Sequence, residues 1–164
     1  MTKQNIAYSI LELALVPQGS TIKETLNNSL VVAKEAERLN YSRFWFAEHH
    51  NSGYIGSSAP SLLIGYVAEN TRTIRVGSGG VMLPNHSPLI VAEQFGTLAH
   101  LYPGRIDLGL GRAPGTDPQT AKAIRYDFME AAHGFPRELE KIQEYFSIEN
   151  QFSKVRASIA EGTD

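Results

Sequence analysis

The chain has 164 residues, 42% of them hydrophobic and 20% charged, with a formal net charge of -2. That size supports one globular core, and the near-neutral charge gives no electrostatic reason to expect a nucleic-acid partner. No cysteine is present, which excludes disulfides and thiol catalysis.

In chain order, Asn5 to Leu11 reads as a buried strand, followed by a loop with Pro17 and Gly19. Thr21 and Glu24 have capping-box spacing and open a helix. Ile22, Leu26, Leu30, Ala33 and Ala36 recur at steps of three and four, one stripe for a sheet to receive. Asn40 is placed to end that helix in a left-handed turn.

Arg43 to Ala47 is the second strand, with a return helix from near Pro60 that carries Leu63, Tyr66 and Val67. Thr73 to Gly77 is the third strand. Ser87-Pro88 then starts a helix whose apolar face is Ile90, Val91, Phe95 and Leu98. Pro103-Gly104 turns the chain into a fourth strand, Arg105 to Leu110. One more amphipathic helix (Leu139, Ile142, Tyr145, Phe146) precedes a polar tail.

The strand starts are separated by roughly 30 to 40 residues, the size of a βα unit. Such units build an open doubly wound sheet or an eight-stranded barrel, and a barrel needs about 250 residues. The expected fold class is α/β, about four βα units with parallel strands. As a barrel, it is the N-terminal half of one. Residues 1–150 form that half, and 151–164 are expected to be a poorly ordered polar tail.

The informative residues sit where strands end, which is where parallel α/β folds gather their chemistry. Glu48-His49-His50 follows the second strand, Gly77-Ser78-Gly79-Gly80 the third, and Gly109-Leu110-Gly111-Arg112 the fourth. Clustered glycines mark close approach to the backbone, and a glycine loop with an arginine suits a phosphate. The last motif is no dinucleotide fingerprint: its third glycine comes one residue late and Pro114 disrupts a following helix. A metal site from Glu48, His49, His50 and His86 is the competing reading. Adjacent histidines on one strand chelate poorly and no His-x-x-His spacing occurs, so no metal is assigned. Arg105 and Asp107 are expected to form an ion pair on the fourth strand, and Phe44, Trp45 and Phe46 to be core.

Taken together, Ala47-Glu48-His49-His50, the run from Val76 to Pro84 and the run from Pro103 to Gly109 resemble the bacterial-luciferase-like flavin monooxygenases. The non-luminescent bacterial group is the nearest match, through Gly109 to Pro118. The resemblance implies a (β/α)8 TIM barrel about twice this length, and hence a truncated chain with impaired turnover. It implies an organic small-molecule substrate oxidised with reduced FMN and O2, the FMN coming from a separate flavin reductase. His49 would be the catalytic acid/base and Glu48 its orienting partner. Gly79 and Gly80 would lie under the flavin ring, with a cis peptide between them, and Arg112 beside Gly111 would meet the phosphate. A deazaflavin-dependent oxidoreductase and a non-catalytic flavin-binding remnant are the alternatives. Homodimerisation or other self-association is expected. The N-terminus has no signal-peptide stretch and no run of about 18 apolar residues occurs, so a cytoplasmic protein without membrane contact is the expectation.

Overall fold

A computed structural model describes residues 6–149 and 154–163. Four strands, β1 (Ser9–Glu12), β2 (Arg43–Phe46), β3 (Arg75–Met82) and β4 (Ile106–Gly111), form one parallel sheet in the order β1-β2-β3-β4. The register pairs Ser9 with Arg43, Arg43 with Arg75, and Val76 with Ile106. Helices α1 (Ile22–Arg38), α2 (Pro60–Glu69) and α3 (Pro88–Leu101) are the crossovers that parallel pairing requires. The Asn5 start expected for β1 lies outside the described residues.

Local chemistry sets the helix ends. Thr21 and Glu24 form the expected capping box, with Glu24 N–H donating to Thr21 Oγ1 at 3.2 Å and Thr21 N–H to Glu24 Oε2 at 2.8 Å. Asn40 takes φ +59°, the left-handed turn. The buried stripe of α1 is Thr25, Ser29, Ala33 and Ala36, while Ile22 is 49% exposed. Small residues let this helix lie close to the sheet, so the stripe is rotated from the one expected through Ile22. On α3, Val91, Phe95 and Leu98 are buried but Ile90 is exposed.

The core lies between one sheet face and these helices. Phe44, Phe46, Val76 and Ile106 meet Ala33 and Ala36, Ile64 and Val67, and Val91, Phe95 and Leu98. The Phe44 and Phe46 rings pack edge to face at 5.4 Å. Each such side chain contributes about 1.5–3 kcal/mol by leaving water.

Strand alternation puts Trp45 on the other face, so it is not core with its neighbours as expected. There it is half-buried, with the Arg43 guanidinium 6.0 Å from its ring centre. Arg43 and Arg75 both donate to Asp107, at 3.1 and 2.8 Å. Arg105 is not the partner expected for Asp107. Its guanidinium donates instead to the carbonyls of Ala68, Thr71 and Ile74, fastening the start of β4 to the end of α2 and the turn that follows it.

The expected amphipathic helix spans Phe135–Phe146 and is α6. Two short helices before it, α4 (Pro118–Ile124) and α5 (Phe128–His133), were not legible from periodicity. Part of the tail expected to be poorly ordered is packed, because Ala157 and Ala160 are buried against Ala92 of α3. A Cβ on Gly96 would stand 2.6 Å from Ala160 Cα, so glycine permits that approach. Among the described residues, β1 and β4 each pair on one side only. A cleft of about 560 Å³ runs beside β4, lined by Leu108, Leu110, Leu139, Ile142 and Phe146. No described helix is long and apolar enough to cross a membrane.

Candidate functional site

Strand β3 does not stop at Gly77. It continues through Ser78, Gly79 and Gly80 to Met82, with a register irregularity between Ser78 and Val81. Glycine is needed there for closeness rather than for a turn. A Cβ on Gly77 would lie 2.5 Å from the Asp107 carbonyl oxygen, and one on Gly80 would lie 2.8 Å from that of Gly109. Ser78 Oγ donates to Gly109 O at 2.8 Å and accepts from Gly109 N–H at 3.1 Å. The Gly79–Gly80 peptide is cis, at the bond expected. Gly79 is exposed, with Leu11 and Trp45 at 3.1 Å from the place a Cβ would occupy.

At the end of β2, the Glu48 side chain is fully buried. Its Oε1 accepts from His50 Nε2 and His86 Nε2, each at 2.8 Å, and from Asn85 Nδ2 at 3.2 Å. Its Oε2 accepts from Met82 N–H at 3.0 Å. Burial alone would raise its pKa. The donations from His86, His50 and Met82 outweigh that effect and hold the carboxyl below its usual range.

The loop after β4 joins the same cluster. Asn85 Nδ2 donates to Pro114 O at 2.9 Å, His50 N–H to Gly115 O at 3.0 Å, and Thr116 Oγ1 to His50 O at 3.0 Å. Gly115 has φ +64°, and a Cβ there would meet Glu48 O at 2.5 Å. Asn51 Nδ2 reaches Thr120 Oγ1 at 2.9 Å, while Asp117 caps α4. Three strand ends thereby meet in one hydrogen-bonded cluster, the third joined through Asn85 and the His50 backbone.

His49 behaves differently from its neighbours. Its backbone N–H donates to Ser57 O at 2.9 Å, yet its half-buried ring makes no hydrogen bond among the described residues. Glu48 makes no hydrogen bond to the His49 ring; its Oε1 serves His50 and His86. Arg112 is exposed and its guanidinium has no partner among the described residues. At Gly111 a Cβ would stand 2.5 Å from Met82 Cε, the movable end of a flexible side chain, so packing alone does not demand glycine there. The parts that sequence reading missed are the Met82 amide and Asn85; it grouped His86 with Glu48 only in the competing metal reading, not as a donor to the carboxylate.

Residues 8–150 match the family model described as luciferase-like monooxygenase. A luciferase-like monooxygenase of Escherichia coli K12 is 53% identical over 156 residues, 95% of this chain and 47% of the relative. The chain thus spans about half the length of the curated relatives it matches. The solved structure of apo-MsnO8 superposes with a TM-score of 0.87 at 41% identity, over 93% of this chain and 46% of that one. The oxygenating constituent of 3,6-diketocamphane monooxygenase from Pseudomonas putida, solved in complex with FMN, superposes with a TM-score of 0.73. At 19% identity, over 86% of this chain and 40% of that one, it shows likeness of fold. With half of each barrel covered, the four-stranded sheet is the N-terminal half of a TIM barrel.

Proposed function

The chain belongs to the luciferase-like monooxygenase family, and from that premise we propose that it contributes the N-terminal half of a monooxygenase site using reduced FMN and O2. The observation that carries this reading is the division of labour at the strand ends. Glu48, His50, Asn85 and His86 are consumed in holding the ends together. His49, Gly79 and Arg112 are left without polar side-chain partners among the described residues, the condition of groups kept for something else.

The residues fit a flavin. Gly79 presents exposed backbone with no side chain, bordered by Trp45 and Leu11, which suits a flat ring. Gly79 and Gly80 would carry the ring, while Arg112, next to Gly111, would donate to the phosphate. Continued strand alternation assigns His49 to the face of Trp45 and Glu48 to the face of Phe46. There a His49 ring nitrogen would hold or release a proton beside the flavin. When bound, FMN supplies the electrons and the reaction with oxygen; the chain supplies orientation, proton control and shelter from water. A separate reductase in the cytoplasm would deliver the reduced FMN to this site, and the substrate would be a small organic molecule.

Purification under reducing and ambient conditions, followed by a visible spectrum and mass analysis of any released chromophore, tests the reading. FMN supports it. Deazaflavin would move the chain to hydride transfer. Failure to take up added FMN in either oxidation state would leave the non-catalytic half-barrel as the better account.

A further inference from the structure

Glu48 has a buried environment that serves no exposed chemistry of its own. Its carboxylate receives four donors, one from the residue just beyond His49 and three from the segment Met82–His86. The backbone on either side of it is equally tied, His49 N–H to Ser57 O and His50 N–H to Gly115 O. The segment 48–50 is thus held from β3, from the turn before α2 and from the loop after β4, while the His49 ring alone has no hydrogen bond among the described residues.

Resting on the flavin-site reading above, we infer that Glu48 and His86 are positioning residues for His49, acting through the backbone rather than by touching its ring. The chemistry of the donors makes the inference specific. A carboxylate is an acceptor only, so both imidazoles that reach Oε1 through Nε2 must carry their proton there. Glu48 therefore fixes His50 and His86 as Nε2–H tautomers, and each such neutral ring keeps its Nδ1 as the basic nitrogen. Asn85 completes the brace, with one Nδ2 group shared between Glu48 Oε1 and Pro114 O. Loss of a single donor leaves a buried charge under-satisfied, so its backbone, and His49 with it, shifts.

The test is long-range ¹H–¹⁵N spectroscopy of the histidine rings at about pH 8, together with the His49 backbone amide. It needs no bound flavin, so its outcome is independent of whether the chain turns over. The expected wild-type result is Nε2–H for both His50 and His86. Glu48→Gln and His86→Leu are expected to shift the His49 amide and ring signals. His86→Gln, whose amide can still donate to the carboxylate, is expected to restore the His49 signals towards wild type. Should Glu48→Gln fail to fold, the two His86 variants decide the matter. An Nδ1–H tautomer at either ring overturns the inference. So do His49 signals that stay put in His86→Leu, or that move equally in His86→Gln.

Discussion

The ring of Trp45 lies across Gly77, with its Cζ3 atom 2.7 Å from where a Cβ of residue 77 would sit. Gly77 is also 2.5 Å, by the same measure, from the carbonyl oxygen of Asp107 on the next strand. Neither neighbour is a flexible tip, so a methyl group has no room. Gly77→Ala is expected to destabilise by about 1–3 kcal/mol through overpacking, read as a lower melting temperature. Gly53→Ala is the control, because nothing lies within 4 Å of its Cβ position. Equal melting of the two variants would refute the packing argument.

His49 and His50 are adjacent in sequence but should differ in what they hold together. His50→Ala removes a donor from the buried Glu48 carboxylate, which should cost about 1.5–3 kcal/mol of stability. His49→Ala removes a ring with no hydrogen bond among the described residues, which should cost about 0.5 kcal/mol or less. Denaturant titration of both variants measures the difference. The reverse order would contradict the assignment of roles.

Glu37 gives the fold an acid-sensitive clasp. Its Oε1 accepts the N–H groups of Arg72, Thr73 and Ile74 at 2.8, 2.6 and 3.0 Å, just before β3. Partial burial pushes its pKa up, but those backbone donors and the Thr73 hydroxyl outweigh it and bring the carboxyl down to about 2. Since the folded value is depressed, the contribution is full above the unfolded value of about 4.3 and disappears as pH falls towards about 2. Linkage alone would give about 3 kcal/mol, and solvent screening of this partly buried group reduces that to about 1 kcal/mol. Glu37→Gln should therefore flatten the stability curve between about pH 4.5 and 2 relative to wild type. Parallel curves across that window would exclude the clasp.

The open edges predict association. β1 and β4 present unpaired backbone groups, among the described residues, beside the exposed Ile6, Tyr8, Leu11 and Leu15 at one edge. The apolar cleft along β4 flanks the other. Two copies pairing β1 of each with β4 of the other would rebuild eight parallel strands around a two-fold axis. Light scattering after size exclusion should give a dimer or larger species. A compact monomer that melts cooperatively would contradict the expectation.

Features set by near neighbours in sequence were legible before the structure. The Thr21–Glu24 box, the left-handed Asn40, the Pro60 and Pro88 helix starts and the βα spacing all depend on residues close along the chain. The cis bond at Gly79–Gly80 came from resemblance, since clustered glycines alone signal only a close approach to the backbone. The run is strand because β2 and β4 hold its backbone, and no local signal reports that. Partner choice failed for the same reason. Glu48 finds His86, 38 residues away, and Asp107 finds Arg43 and Arg75 instead of Arg105. Alternation says which face a side chain takes, but not which distant strand end arrives beside it.

The central claim is that this chain carries one half of a flavin site, with Arg112 as its phosphate donor. Titration of FMN by fluorescence quenching, run on wild type and Arg112→Ala with the association state fixed by light scattering, tests it most directly. Half a site should bind the monomer weakly, with Kd above about 1 μM. Arg112→Ala should lose about 1.5–3 kcal/mol, roughly tenfold or more in Kd. Submicromolar binding by the monomer, or an Arg112→Ala variant that binds as well as wild type, would contradict the account.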